Sequence, residues 1–288
     1  MSRLATRAAC LALVVLAAAL AAPAVADAPK RIVALTPFSA NTLAELGVKP
    51  VAIGQTLGGD ENFHRSLRRV RTLPLAHPNG PNMEQLASLR PGLVLSSPTW
   101  ARGNRTMRNL DMRVEVPEPL TVLDMYERIE DVAAMVDRDR AGRRLVARIK
   151  RQVSRASRDW KSRPRVMLVL GVGRSPYVFL ENSWGGYILQ LAGARLVTAD
   201  AESRSGFARI SDEAIVAEDP DVIIGVPHAR ADDLEGIRDY MRSNETWKLT
   251  QAGQDNRIYV WGDDALLQAN LDVGSTISRV RARFLKNR

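Results

Sequence analysis

Residues 84–97 read Glu-Gln-Leu-Ala-Ser-Leu-Arg-Pro-Gly-Leu-Val-Leu-Ser-Ser, and residues 213–226 read Glu-Ala-Ile-Val-Ala-Glu-Asp-Pro-Asp-Val-Ile-Ile-Gly-Val. The two segments align without gaps at an offset of 129 residues (213 − 84), and each places its proline seven positions after its glutamate. Proline ends a helix, and an apolar run without alternation is typical of a strand covered on both faces. Each copy therefore predicts a short helix that leads into a parallel strand, and the duplication predicts two α/β lobes around a cleft.

The first residues predict export. Arg3 and Arg7 precede an apolar stretch at 11–22, and Ala24-Val25-Ala26 offers the small residues that signal peptidase accepts. The stretch is shorter than the roughly 20 residues that a membrane-spanning helix needs. We therefore expect a signal peptide at 1–26, cleavage before Asp27 and a soluble periplasmic product.

Cysteine usage narrows the chemistry of that product. Cys10 is the only cysteine, and it lies ahead of the apolar stretch, whereas a lipid-anchored cysteine would follow it. The mature chain would then carry no thiol, which excludes disulfides, cysteine nucleophiles and thiolate metal ligands.

The net charge of +9 is concentrated in one segment. Residues 137–165 hold twelve Lys or Arg against three Asp, which leaves 29 bases and 29 acids elsewhere (41 − 12 and 32 − 3). Leu145, Ile149 and Val153 fall on one stripe of a helix at 138–160 with arginines around the rest. A solvated helix that bridges two lobes explains this pattern, and contact with anionic lipid headgroups is the alternative. Nucleic acid is not expected as a partner, because the segment has no interleaved aromatics.

The remaining patterns predict alternating strands and helices, and thus parallel sheets with right-handed crossovers. Residues 36–39 are expected to form a loop and residues 40–46 a helix. The other expected elements are strands at 31–35, 51–54, 165–170 and 257–261 and helices at 122–136, 184–191 and 272–285.

Five stretches in order resemble the periplasmic binding proteins that serve ABC importers of iron-siderophores, haem and cobalamin. They are Arg31–Pro37 in the first strand, the unit at 84–97, the Asn182-Ser183-Trp184-Gly185-Gly186 helix start, Asp219–Ile224, and Asn256–Val260. The resemblance covers essentially the whole mature chain. It implies an α/β fold of two Rossmann-like lobes with parallel sheets, a lobe at 27–137, a connecting helix at 138–161 and a lobe at 162–288, with ligand held between the lobes. It also implies a monomer without a cofactor of its own, and a separate permease and ATPase as partners.

The resemblance gives the repeated glutamates a role. In such proteins a glutamate on the outer rim of each lobe meets arginines of the permease, and Glu84 and Glu213 stand at the matching places. A carboxylate at a helix N-terminus is stabilised by the helix dipole and stays available to a cationic partner. Ordinary first-turn capping acids are the alternative interpretation.

Ligand residues are expected where strands end, because open α/β sheets bind small molecules at their carboxyl edges. His228 follows the second repeated strand and resembles the axial haem ligand of one branch of the family, so it is a metal ligand only if the cargo is haem. That branch has a methionine opposite, where this chain has Asn79, and His77 is a nearby substitute. Aromatic and basic residues complete the predicted set, with packing or solvation as the alternative for each. The predicted ligand-binding residues are Phe38, Ser39, His77, Asn79, Thr99, Trp100, Arg102, Arg174, Tyr177, Trp184, His228 and Trp261.

Other classes find less support in the sequence. No nucleophile elbow, His-Glu-x-x-His motif or phosphate loop is present, and Gly171-Val172-Gly173 lacks the third glycine of a dinucleotide fingerprint. Three scattered histidines do not supply a bare zinc or manganese site. The sequence thus predicts a binding protein for an iron chelate, ferric siderophore or haem, with a corrinoid as the alternative. A two-lobed enzyme and a scaffold with an empty cleft remain further possibilities.

Overall fold

The computed structural model describes residues 29–55, 63–158, 163–170, 176–227, 234–262 and 264–285. The predicted signal peptide, Asp27, Arg174 and His228 lie outside these residues. None of the helices within the described ranges has the length and apolar content that crossing a membrane requires.

Helices and strands alternate along the chain as the patterns predict. The strands are β1 Ile32–Ala34, β2 Ala52–Gly54, β3 Arg71–Leu73, β4 Leu75–Ala76, β5 Gly80–Pro81, β6 Leu93–Leu95, β7 Val114–Glu115, β8 Arg165–Leu170, β9 Tyr177–Phe179, β10 Arg195–Leu196, β11 Phe207–Arg209, β12 Val222–Val226 and β13 Ile258–Val260. The α-helices are α1 Pro37–Glu45, α2 Met83–Ser88, α3 Ala101–Asn109, α4 Val122–Met135, α5 Asp139–Ala156, α6 Trp184–Ala192, α7 Asp212–Glu218, α8 Leu234–Ser243, α9 Gln251–Gln254 and α10 Val273–Val280.

The strands form two separate main sheets, one from the chain before α5 and one from the chain after it. The first has the order β3-β2-β1-β6-β7 and is parallel throughout. The second has the order β11-β9-β8-β12-β13, with β10 beside β8. In this second sheet β8, β10, β12 and β13 pair in parallel as expected, and β9 is added to β8 in the antiparallel direction. Only six residues join β8 to β9 (residues 171–176), too few for the crossover that a parallel pair requires.

The sequence repeat is also a structural repeat. Strand β6 pairs with β1 through Leu93 and Ile32, and β12 pairs with β8 through Val222 and Val166, at the same offset of 129 (222 − 93). The preceding helices α2 and α7 are capped at the same offset: Gln85 N donates to the Asn82 side chain, and Ala214 N donates to Ser211 Oγ. The prediction of a helix and a strand in each copy is confirmed.

The expected loop at 36–39 is wrong. Helix α1 begins at Pro37, because Thr36 acts as its N-cap and accepts a hydrogen bond from Ser39 N at 3.2 Å. Proline is well suited to the first helical position, since its fixed φ fits and its missing N–H has no partner there. At the C-terminus, the expected helix to 285 is instead α10 followed by a π-helical turn at Arg281–Leu285.

Successive side chains of a strand point to opposite faces of its sheet, so each sheet packs against a separate apolar cluster on each face. Ile32 and Ala34 of β1 pack with residues of α1 and α4, whereas Val33 and Leu35 pack with residues of α2 and α3. In the second half, β8 residues at even positions face α6 and α10, and Met167 and Val169 face α7 and α8. Helices α2 and α7, which carry the repeated glutamates, therefore lie on the sheet faces opposite to α4 and α10.

Helix α5 joins the halves by packing on both. Its buried Leu145, Ile149 and Val153 share one apolar cluster with Ile129 of α4 and Ile277 of α10. Gly142 permits the approach to α4, since a Cβ there would lie 2.5 Å from Ala133 Cβ. The observed helix, Asp139–Ala156, lies inside the expected connecting segment at 138–161.

Candidate functional site at the strand ends

Four of the predicted ligand residues gather at the carboxyl edge of the first sheet. His77 and Asn79 lie on the turn between β4 and β5, and Thr99 and Trp100 form the 3₁₀ turn after β6. The His77 and Trp100 rings are 6.3 Å apart between centroids and tilted by 59°. We call His77, Asn79, Thr99 and Trp100 the edge platform. All four are exposed or partly exposed.

Close backbone packing holds the edge platform in place. A Cβ at Gly103 of α3 would lie 2.0 Å from the Asn79 carbonyl oxygen, so only glycine fits beneath the β4–β5 turn. Behind the platform, Ser96 Oγ donates to Asn104 Oδ1 at 2.6 Å, and Asn104 Nδ2 donates to the Ser97 carbonyl at 2.9 Å. These buried bonds fix the end of β6 to α3.

Two individual polar atoms at this edge have no hydrogen-bond partner among the described residues. They are Trp100 Nε1 and Glu118 Oε2, and both atoms are buried. Glu118 follows β7 and reaches Thr36, at the end of β1, with a hydrogen bond. Burial raises the pKa of Glu118 to about 8, against the smaller lowering effect of the Thr36 hydrogen bond. A pKa of about 8 predicts that this carboxyl group is mostly protonated at neutral pH.

The second sheet contributes Tyr177 at its own carboxyl edge. Tyr177 pairs with Leu170, the last residue of β8, and is half-buried. Arg209 Nε donates to Tyr177 Oη at 3.0 Å, and the guanidinium carbon lies 5.6 Å from the centre of the Tyr177 ring. This pair places a cation and an aromatic ring side by side at the edge.

Three predicted aromatics lie in the core instead. Phe38, Trp184 and Trp261 are 0%, 5% and 2% exposed and belong to one buried cluster that contains residues of both halves. Trp184 Nε1 already donates to the Ala265 carbonyl at 3.0 Å. Their burial in one cluster places all three at the seam where the two halves pack together. Ser39 is also fully buried and accepts from Thr36 Oγ1, while Arg102 is exposed on α3.

A polar cavity of about 420 Å³ lies along this seam. Helix α5 contributes Arg148, which forms an ion pair with Glu45 of α1 at 2.7 Å. Asp272, next to α10, has its pKa raised by burial, against a hydrogen bond from Ser275 and the charge of Arg279. The cavity is lined by Asn41, Glu45, Phe63, His64, Arg148, Ile149, Gln152, Ala265, Asn270, Leu271, Asp272, Thr276 and Arg279.

The sequence did not indicate this cavity or Glu118. The cavity depends on how α1, α5 and α10 meet, and their residues are far apart in the chain. Glu118 stands between two prolines, Pro117 and Pro119, shortly after β7, and the sequence patterns predicted no strand there. Across the described residues, no cluster of three or more His, Cys, Asp or Glu is arranged to hold a metal ion.

The repeated glutamates are both exposed, at the second position of α2 and of α7. Hydrogen bonds from its own backbone N–H and from the Ser211 hydroxyl lower the pKa of Glu213, so this carboxylate is charged throughout the neutral range. Glu84 occupies the equivalent place in the first half.

Two α/β halves joined by one helix, with accessible side chains at both carboxyl edges, define a two-lobed solute-binding fold. The chain belongs to the family described as Periplasmic binding protein, whose model matches residues 32–265. Members of this family are extracytoplasmic substrate-binding proteins of transport systems, which confirms the resemblance noted in the sequence.

Named relatives fall in the same class. The chain is 30% identical over 211 residues to a cobalamin-binding protein of Halobacterium salinarum, a match that covers 71% of this chain and 56% of that protein. The chain thus spans little more than half the length of that relative. An ABC transporter substrate-binding protein from Listeria monocytogenes superposes with a TM-score of 0.78 at 21% identity, over 89% of this chain and 99% of that one. The haem complex of Staphylococcus aureus IsdE superposes with a TM-score of 0.70 at 20% identity, over 89% and 99%.

Proposed function

We propose that the chain is the periplasmic solute-binding component of an ABC importer, and that it captures a bulky iron chelate, either haem or a ferric siderophore. The observation that carries the proposal is the edge platform, an imidazole and an indole held side by side at a strand edge in a solute-binding fold. Family membership supports the transport role, and the platform supports the ligand class.

The platform chemistry suits a flat or aromatic iron complex. An indole face stacks on a macrocycle or a catecholate, and the buried, unpaired Trp100 Nε1 can donate to an acceptor on the ligand after a small shift. Neutral imidazole binds haem iron well, so His77 and His228 are the candidate axial ligands. Arg102 and Arg174 are positioned in the sequence to pair with propionates or with an anionic siderophore.

A corrinoid is the second candidate ligand. The relative in Halobacterium salinarum, named as a cobalamin-binding protein, favours it. The same platform would then contact the edge of the corrin ring, and the histidines would not need to coordinate iron. A periplasmic enzyme on the same scaffold is the less favoured alternative and would be recognised by turnover of a bound compound.

Export and docking complete the proposal. Residues 1–26 act as a cleaved signal peptide and the mature chain begins at Asp27. Glu84 and Glu213 meet arginines of a permease, and ATP hydrolysis belongs to a separate subunit. The exposure of both glutamates at equivalent helix starts supports this docking role.

The absorption spectrum of the mature protein, purified from the periplasm that produces it, tests the ligand class. Haem gives a Soret band that His228→Ala or His77→Ala weakens. A ferric siderophore gives a broad visible charge-transfer band, and cobalamin gives a corrin spectrum. A colourless protein that binds none of the three on titration would refute the proposal.

A further inference from the structure

The outer face of α5 carries a row of arginines. Arg140, Arg144, Arg151 and Arg155 are spaced by four, seven and four residues, which places them on one stripe of a helix. All four are exposed, and the stripe lies opposite to the buried side of α5. At a rise of about 1.5 Å per residue the row extends over roughly 22 Å. We call these four residues the arginine row.

Within the described part of the chain, no ion pair involves the four arginines of the row. Helix α5 contains seven Lys or Arg and one acid, Asp139, and its one ion pair among the described residues is Arg148–Glu45. Within the same residues, the four side chains of the row have no hydrogen bond or ion pair. Like charges four residues apart disfavour a helix, as do cations in its first turn. The row therefore weakens the helix that carries it, which is expected of a surface that serves an external anion.

The arginine row is separate from the proposed docking surface. Helix α5 packs against α4 and α10, on the sheet faces opposite to α2 and α7. Glu84 and Glu213 start α2 and α7, so the row faces away from them. We therefore expect a molecule bound through the row to leave both glutamates accessible.

We propose that the arginine row binds the surface of a bilayer that contains anionic phospholipids. Guanidinium groups match phosphate oxygens in a two-bond geometry, and a straight row on a convex helix suits a flat, repeating phosphate surface. Between the arginines the row offers only Ala147 and Ser154, so it lacks the large apolar anchors of a protein interface. Helix α5 also has no aromatic residue on which nucleic-acid bases could stack. The proposed role is retention of the protein near the membrane between rounds of docking.

Co-sedimentation of the full mature protein with vesicles tests this proposal. The vesicles are phosphatidylcholine with and without phosphatidylglycerol, at low and at high salt. We expect binding only with phosphatidylglycerol, loss at high salt, and affinity reduced roughly tenfold or more when the four arginines of the row are changed to Gln. A matched variant with Arg90, Arg105, Arg195 and Arg204 changed to Gln removes the same charge elsewhere and should bind like the wild type.

Two further measurements keep the result unambiguous. The thermal unfolding midpoint of the row variant should equal or exceed that of the wild type, because like-charge repulsion is removed. Glu84→Ala with Glu213→Ala should leave vesicle binding unchanged. Absence of wild-type binding, or an equal loss of binding in the matched variant, would overturn the proposal. So would a competition in which duplex DNA or polyglutamate displaces the protein from the vesicles as effectively as added phosphatidylglycerol vesicles of equal charge.

Discussion

Arg90 and Asp219 lie 129 residues apart (219 − 90), and each adopts a left-handed backbone, with φ of 44° and 39°, directly before a proline. Both residues connect a repeated helix to its strand. The duplication thus extends from the sequence to the backbone conformation. Both residues have a positive φ, which residues other than glycine rarely adopt. The two differ in their contacts, since Asp219 Oδ1 accepts from Gln251 N at 2.6 Å.

The turn at Arg90 provides the first prediction. Arg90→Val should be less stable than Arg90→Gly by about 1 kcal/mol, because a branched side chain is strained at positive φ whereas glycine is not. Urea unfolding of the two variants measures the difference. Equal midpoints would show that the turn relaxes to another conformation.

Gly103 should be essential to the edge platform. Gly103→Ala places a methyl group against the Asn79 carbonyl, so the β4–β5 turn must shift. We expect a stability loss of about 1–3 kcal/mol together with weakened ligand binding. Arg105→Ala in the same helix is exposed and should change neither property. Unchanged ligand affinity in Gly103→Ala would contradict the role given to His77 and Asn79.

Glu118 should make folding stability depend on pH. Its pKa is near 4.5 when unfolded and about 8 when folded, so between these values the unfolded chain loses a proton that the folded protein keeps. Stability therefore falls as pH rises from about 4.5 to about 8 and then levels. Glu118→Gln should remove this slope and be more stable than the wild type at pH 8 by on the order of 1–3 kcal/mol.

Chemical unfolding from pH 5 to pH 8.5 measures the effect of Glu118. The exposed Glu130→Gln serves as the control and should retain the wild-type slope. If the free energy of unfolding of the wild type and of Glu118→Gln varied in the same way with pH, the Glu118 carboxyl group would be ionised in the folded protein over this range.

Variants of the repeated glutamates should lose transport and keep ligand binding. Glu84→Ala and Glu213→Ala should each reduce ligand uptake by cells and leave the affinity of the purified protein for ligand unchanged. The reason is that both side chains are exposed at helix starts, outside the edge platform. Glu202→Ala, which removes another exposed acid, should transport normally. Full uptake in the double variant would refute the docking role.

The fold could be predicted from the sequence because its signals are local. The proline positions, the apolar triplets and the capping residues of the repeat specify a helix and a strand wherever they occur, and the duplication at 129 residues then implies two lobes. The start of α1 was missed because Pro37 was interpreted as a loop residue, although it stands directly after a Thr cap.

The burial of the candidate site residues could be predicted only in part, since burial is decided by distant contacts. His77, Asn79, Thr99 and Trp100 follow from the rule that strand ends carry ligand residues. The same rule selected Phe38, Trp184 and Trp261, which the structure buries where the two halves meet. Sequence position cannot separate a strand-end aromatic that faces a ligand from one that seals the seam.

Titration of the mature protein with haem, a ferric siderophore and cobalamin, followed by tryptophan fluorescence, tests the central claim most directly. We predict one-to-one binding of one of these ligands, with affinity strongly reduced in Trp100→Ala and retained in Trp184→Phe, whose ring stays in the core. Binding that is insensitive to Trp100, or absent for all three ligands, would contradict the placement of a bulky metal complex on the edge platform.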